Sequence, residues 1–156
     1  MKRLLLLLVS HGAVGLAGFA AGIYLLPILT APPAPTADEV RASAAGAQFS
    51  GEFRRDLADS DALHWGEGRV FVGRDTITLE GEISPGPAYR LYLSPEFVET
   101  EARFKRLKPS MAPIGDVRTF KNFVVPVPPQ VDPADYEAVV IWCESFSQFI
   151  TAARYR

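Results

Sequence analysis

The fold is decided by one stretch of the sequence, Val139-Val140-Ile141-Trp142-Cys143-Glu144-Ser145-Phe146. Branched and aromatic residues, which favour strands, run without interruption up to the only cysteine of the chain. Because side chains alternate between the two faces of a strand, Ile141 and Cys143 share one face and Val140 and Trp142 share the other. Both faces are apolar, so the stretch predicts a strand that is buried on both sides.

The residues before this stretch also form short strand-like runs that are separated by turns. The runs 69–72 and 76–80 flank Gly73-Arg74-Asp75 and predict a hairpin. In the second run Ile77 and Leu79 alternate with polar residues such as Thr78, which predicts one solvated face. Many short strands without long helical periodicity predict an all-β fold, and we expect an antiparallel β-sandwich.

The N-terminus carries the strongest physical signal in the sequence. Residues 4–29 contain no charge and exceed the roughly 20 residues that a membrane-spanning helix needs. Lys2 and Arg3 before them favour a cytoplasmic N-terminus, which predicts a single-pass protein of the cell inner membrane with a periplasmic C-terminal domain. A cleaved signal peptide is the competing interpretation, but the length of the apolar run favours an uncleaved anchor.

The chain therefore divides into a transmembrane anchor at 1–30, a linker at 31–47 and a β-sandwich domain at 48–156. The linker is rich in alanine and proline, which predicts a semi-rigid spacer, and residues 38–45 indicate a short helix only weakly. Within the anchor, Gly18 and Gly22 form a small-x-x-x-small pair that predicts helix packing against a second copy or another membrane protein. Glycine is also common in membrane helices that have no such partner.

Charge and motifs exclude several classes of function. The net charge of −2 gives no reason to expect nucleic-acid binding. The sequence has no Gly-x-Ser-x-Gly and no phosphate-binding loop, so a hydrolase or a transferase is not indicated. Whether the protein is an enzyme is left open.

From residue 49 onward the sequence resembles the electron-transfer DM-thirteen (DM13) domain. The resemblance rests on four segments, which are Ser50-Gly51-Glu52-Phe53, Leu63-His64-Trp65-Gly66-Glu67-Gly68, Pro85-Gly86-Pro87-Ala88-Tyr89-Arg90-Leu91-Tyr92-Leu93-Ser94 and the closing stretch around Trp142-Cys143-Glu144. It implies an exported or cell-surface β-sandwich with a single cysteine proposed to act in redox chemistry. That cysteine, which corresponds to Cys143, would act as a bare thiol or through a bound group such as haem.

The residues themselves leave the role of Cys143 open. A single cysteine cannot form an intramolecular disulfide, so in an oxidising compartment Cys143 is buried, paired with another molecule or used chemically. Glu144 beside it would raise the thiol pKa rather than lower it. His64 is the only histidine outside the apolar N-terminal segment and is the candidate partner of Cys143, with Met111 as a candidate third group. The competing interpretations are a structural buried thiol and a histidine that bonds to the backbone of a turn.

The ligand inventory excludes several metal centres. A blue-copper site needs two histidines and a structural zinc site needs four ligands, and the domain supplies neither, so we expect no metal site. No Cys-x-x-Cys-His occurs, which excludes covalent c-type haem. A non-covalent haem is implied only by the resemblance and is supported by no motif, so the cofactor stays unknown. We therefore expect a membrane-anchored redox or electron-transfer domain centred on Cys143. The alternative is a non-catalytic interaction or accessory subunit of a membrane complex.

Overall fold

The computed structural model describes all 156 residues, and it contains two antiparallel four-stranded sheets that follow a long N-terminal helix. The predicted all-β sandwich is therefore confirmed. The three α-helices are α1 (Lys2–Thr30), α2 (Ala37–Ala44) and α3 (Glu101–Leu107). The strands are β1 (Ala47–Phe53), β2 (Gly66–Gly73), β3 (Thr76–Ile83), β4 (Tyr89–Ser94), β5 (Ala112–Val117), β6 (Lys121–Pro126), β7 (Ala138–Cys143) and β8 (Gln148–Arg154).

The first sheet has the strand order β1-β2-β3-β6 and the second has β5-β4-β7-β8. The predicted hairpin is the β2–β3 pair, in which Val70 lies opposite Leu79 and Val72 opposite Ile77. Side chains from the inner faces of both sheets form one apolar cluster, to which β7 contributes Val139, Ile141 and Cys143. The opening stretch thus places the only thiol of the chain in the layer between the two sheets.

The outer face of the second sheet carries a second apolar cluster beneath α3. Trp142 is 2 % exposed and stacks on Phe104 of α3, with ring centroids 4.0 Å apart and planes 9° from parallel. Val140 lies in the same cluster, so β7 is buried on both faces as its sequence predicts. Thr100 caps α3 by accepting a hydrogen bond from the backbone N–H of Arg103.

The outer face of the first sheet is not solvated throughout, contrary to the prediction for the β3 run. Thr78 is buried because α2 packs over it, and its hydroxyl lies 2.7 Å from that of Ser43. Val40 is the apolar anchor of α2 and is 1 % exposed. A capping box between Thr36 and Glu39 starts this helix, which lies inside the segment assigned to the linker.

No residue of the helix α1 is buried, although Ile23 and Pro27 are only partly exposed, and the helix is long and apolar enough to cross a membrane. A signal sequence near the N-terminus would satisfy the same criteria. Nothing lies within 4 Å of a Cβ built on Gly18 or Gly22, so the face of the helix that carries these two glycines has no partner within the chain.

We expect replacement of Thr151 by valine to stabilise the domain by about 1 kcal/mol. Thr151 is fully buried on β8, and its hydroxyl has no hydrogen-bond partner, so the isosteric apolar side chain removes an unpaired polar group. Denaturant unfolding at pH 7 measures the change. The matched control is Thr78→Val, which removes the partner of Ser43 and should destabilise the domain. Equal effects of the two substitutions would contradict this explanation.

Candidate functional site

Cys143 is the last residue of β7, and its side chain is 3 % exposed. It lies opposite Tyr89 of β4, and its Sγ donates a hydrogen bond to the backbone oxygen of Pro87 at 3.1 Å. Burial raises the pKa of the Cys143 thiol, and the charge of Glu144 adds to this effect. Hydrogen bonds from the backbone of Phe146 and Ser145 counter it only in part. At neutral pH the side chain is therefore a protonated thiol.

The Pro85-Gly86-Pro87 turn covers this thiol because the turn folds against Tyr89. A Cβ at Gly86 would lie 2.3 Å from the Tyr89 hydroxyl, so only glycine permits the contact. Burial raises the pKa of the Tyr89 hydroxyl as well. The edge of the Tyr89 ring packs on Phe120 at a centroid distance of 6.0 Å. The turn at Gly86 and Pro87 and the ring of Tyr89 thus cover the thiol.

A cavity of about 590 Å³ lies beside the thiol, and Cys143 and His64 both line it. Its walls are mostly apolar and come from the turn at residues 63–64, from residues 85–89, from residues 146–150 and from α1. No hydrogen bond joins Cys143 to His64. The structure therefore brings the two predicted site residues to one cavity without pairing them directly.

A hydrogen-bonded turn fixes the orientation of His64. Its Nδ1 lies 3.0 Å and 3.1 Å from the two carboxylate oxygens of Asp61, which also accepts the backbone N–H groups of Leu63 and His64. The His64 hydrogen bond holds the pKa of the Asp61 carboxyl below its usual range. In the tautomer whose proton is on Nδ1, Asp61 accepts that proton and Nε2 is left as a hydrogen-bond acceptor. Nε2 has no hydrogen-bond partner within the chain.

Met111 does not complete this pair, contrary to the expectation from the sequence. It lies in the second apolar cluster with Tyr92 and Trp142, whereas Cys143 lies in the cluster between the sheets. Because adjacent positions of β7 face opposite ways, the sheet itself separates Met111 from the thiol.

A second polar group lies on the outer face, and sequence reasoning did not identify it. Glu144 accepts hydrogen bonds from the Tyr92 hydroxyl and from Lys108, whose Nζ is 2.8 Å away. Partial burial alone would raise the pKa of Glu144, but the hydrogen bonds from Lys108 and Tyr92 bring it below its ordinary value. The same Lys108 ammonium lies 5.5 Å from the centroid of the Tyr92 ring. A basic run at residues 105–108 was visible in the sequence, but nothing there indicated which carboxylate it meets.

The residues at the cavity do not fit a haem that is held by Cys143. Thiolate ligation of iron would require Cys143 to lose its proton and its hydrogen bond to Pro87. In addition, no lysine or arginine lines the cavity to pair with the two propionates of a haem. No group of three or more His, Cys, Asp or Glu side chains is placed to hold a metal ion.

Comparison with known proteins gives one match. A family model described as "Electron transfer DM13" matches residues 52–155, which include both His64 and Cys143. Neither a curated protein nor a solved structure matches the chain.

Proposed function

The chain belongs to the electron transfer DM13 family, which indicates a redox-related role, and on this basis we propose that Cys143 is the centre of that role. We further propose that α1 is an uncleaved anchor in the cell inner membrane. In this arrangement the N-terminus is cytoplasmic and the sandwich domain is periplasmic, as Lys2 and Arg3 favour.

One observation carries the proposal: the only thiol of the chain lies beside a cavity that the only histidine of the domain also lines. A purely structural thiol needs neither a neighbouring cavity nor an oriented histidine. Because burial keeps the thiol protonated, oxidation requires a group that takes up the proton. His64 is the candidate acceptor, since Asp61 holds its Nδ1 and leaves Nε2 without a partner.

The test is the reversible oxidation of Cys143 in the full chain in detergent. We expect the folded protein to lose one titratable thiol on treatment with hydrogen peroxide and to recover it with dithiothreitol. His64→Gln keeps a polar side chain of similar length and removes the base, so it should slow oxidation about tenfold at pH 7. The control is His11→Gln, which changes the other histidine of the chain and should have no effect.

A thiol that stays inert until the chain unfolds would contradict the proposal. So would a Cys143→Ser variant that folds and fully restores the phenotype of a strain lacking the protein. The second outcome would favour the other candidate function, a non-catalytic accessory subunit. The open flank of α1 at Gly18 and Gly22 supports that role, because another membrane helix or a second copy of the chain can approach it closely.

A further inference from the structure

Two exposed apolar side chains stand at the mouth of the cavity. Leu63 is 60 % exposed and Phe146 is 50 % exposed, and they are the only large hydrophobic residues after α1 with such exposure. They come from different loops of the domain, yet both line the cavity that contains Cys143. Exposed apolar groups that converge on one opening indicate contact with an apolar phase or an apolar ligand.

The third side of the same cavity is α1, through Ala20, Ile23 and Tyr24. A helix rises about 1.5 Å per residue, so roughly 20 residues counted from Lys2 and Arg3 reach the far side of the hydrocarbon layer near Ile23. Tyr24 then lies at the membrane–water boundary, where tyrosine is favoured. The opening of the cavity therefore lies at a depth where molecules dissolved in the bilayer can reach it.

The chemistry of the lining limits what can bind. No arginine or lysine lines the cavity, which disfavours anionic ligands. Three aromatic side chains, Tyr24, Tyr89 and Phe146, favour a flat ring over a flexible acyl chain. Nε2 of His64 has no hydrogen-bond partner, and with the Nδ1 proton donated to Asp61 it is an acceptor that a ligand hydroxyl would satisfy and a hydrocarbon would not.

We propose that this cavity binds a lipid-soluble quinol, an uncharged aromatic ring whose hydroxyl donates to Nε2 of His64 and which enters from the bilayer between α1 and the loops of Leu63 and Phe146. This inference rests on the proposed function, because it takes α1 as the membrane anchor and assigns a ligand class to the same site. It concerns binding alone. The reduced ring should bind more tightly than the oxidised quinone, which carries no hydroxyl proton to donate.

The experiment uses the full chain in nanodiscs of phosphatidylethanolamine and phosphatidylglycerol, with radiolabelled decyl-benzoquinol as the probe. Retention of the probe after gel filtration is compared with that of nanodiscs without protein. We expect one bound quinol per chain and several-fold weaker binding of the oxidised probe.

Ala20→Phe fills the cavity from the side of α1 and leaves every residue of the sandwich domain unchanged, and it should weaken binding at least tenfold. Ala13→Phe is the matched control, since it makes the same change on the same helix away from the cavity and should leave binding unchanged. Phe146→Ser removes one exposed aromatic wall and should weaken binding about threefold to tenfold. His64→Gln should abolish the preference for the reduced ring.

Retention no greater than that of protein-free nanodiscs would overturn the inference, and so would equal binding by Ala20→Phe and Ala13→Phe. If added phospholipid displaces the quinol probe and the cavity shows no preference for the ring, the cavity binds acyl chains instead and the inference is wrong. Cys143→Ser separates this inference from the proposed function, because quinol binding needs no thiol. Binding that persists while Cys143 proves inert to oxidation would leave the cavity assignment standing and reject the thiol role, whereas the reverse result would reject only the quinol.

Discussion

Replacing Trp142 with alanine is expected to destabilise the domain by about 3–5 kcal/mol. The indole is almost fully buried and stacks face to face on Phe104, which in turn packs edge-on against Tyr92 at a centroid distance of 5.3 Å. Removing it therefore leaves a large cavity beneath α3 and ends the contact that holds this helix on the sheet. Denaturant unfolding of the full chain in detergent measures the loss.

The control for this substitution is Trp65→Ala, which removes the other tryptophan of the chain. Trp65 is only partly buried, and the Arg55 guanidinium lies over its ring, 3.3 Å from the ring centroid. We expect it to cost about 1–2 kcal/mol. Equal losses for the two variants would show that the Phe104–Trp142 stack is not the main anchor of α3.

Replacing Tyr89 with alanine should raise the rate at which a thiol reagent modifies Cys143 at least tenfold, at a cost in stability of about 3–5 kcal/mol. Tyr89 lies opposite Cys143 and packs against the turn whose Pro87 oxygen accepts the thiol hydrogen bond. Without the ring, the cavity extends over the sulfur and water reaches it. The rate is followed at pH 7 with an aromatic disulfide reagent.

Phe53→Ala is the matched control for thiol exposure. Phe53 is buried in the same cluster but does not line the cavity, so its removal should destabilise the domain without uncovering the thiol. If both variants accelerate modification equally, global unfolding rather than local access explains the result.

The pH dependence of stability provides a further check on Tyr89. Burial raises the pKa values of Cys143 and Tyr89, so the folded chain retains protons that the unfolded chain loses. Their contribution to stability is fully present below the unfolded pKa values, and it is lost as the pH rises from about 8.5 for the thiol and about 10 for the phenol. The wild-type unfolding free energy should therefore fall on the alkaline side, and less steeply above about pH 10 in Tyr89→Ala.

Much of the sandwich follows from local patterns. The run from Val139 to Cys143 is apolar at every position, which predicts burial on both faces, and both faces are buried in the structure. The solvated face predicted around Thr78 is wrong because the residues that cover it lie far away in an alanine-rich segment. That segment has one anchor, Val40, and its position on the sheet depends on a tertiary contact that periodicity does not reveal.

The candidate site also depends on tertiary contacts that the sequence does not reveal. Cys143 and His64 could be singled out because each is the only residue of its type in the domain, but their shared cavity depends on loops that meet in three dimensions. Met111 carries a thioether sulfur, which made it a candidate third group, but it lies on the opposite face of the second sheet from Cys143. The exposure of Leu63 and Phe146 had no sequence signal, since it depends on how the loops that carry them pack in three dimensions.

Because α2 packs on the first sheet, the distance between α1 and the sandwich domain is limited. Between α1 and α2, only the residues from Thr30 to Ala37 connect the two helices, and at about 3.5 Å per residue this connection extends at most about 25 Å. Asn122 shortens this connection further, because its side-chain amide donates a hydrogen bond to the backbone oxygen of Pro35. With α1 as the proposed anchor, the domain searches for partners in two dimensions, and any protein that exchanges electrons with it must itself come to the membrane surface.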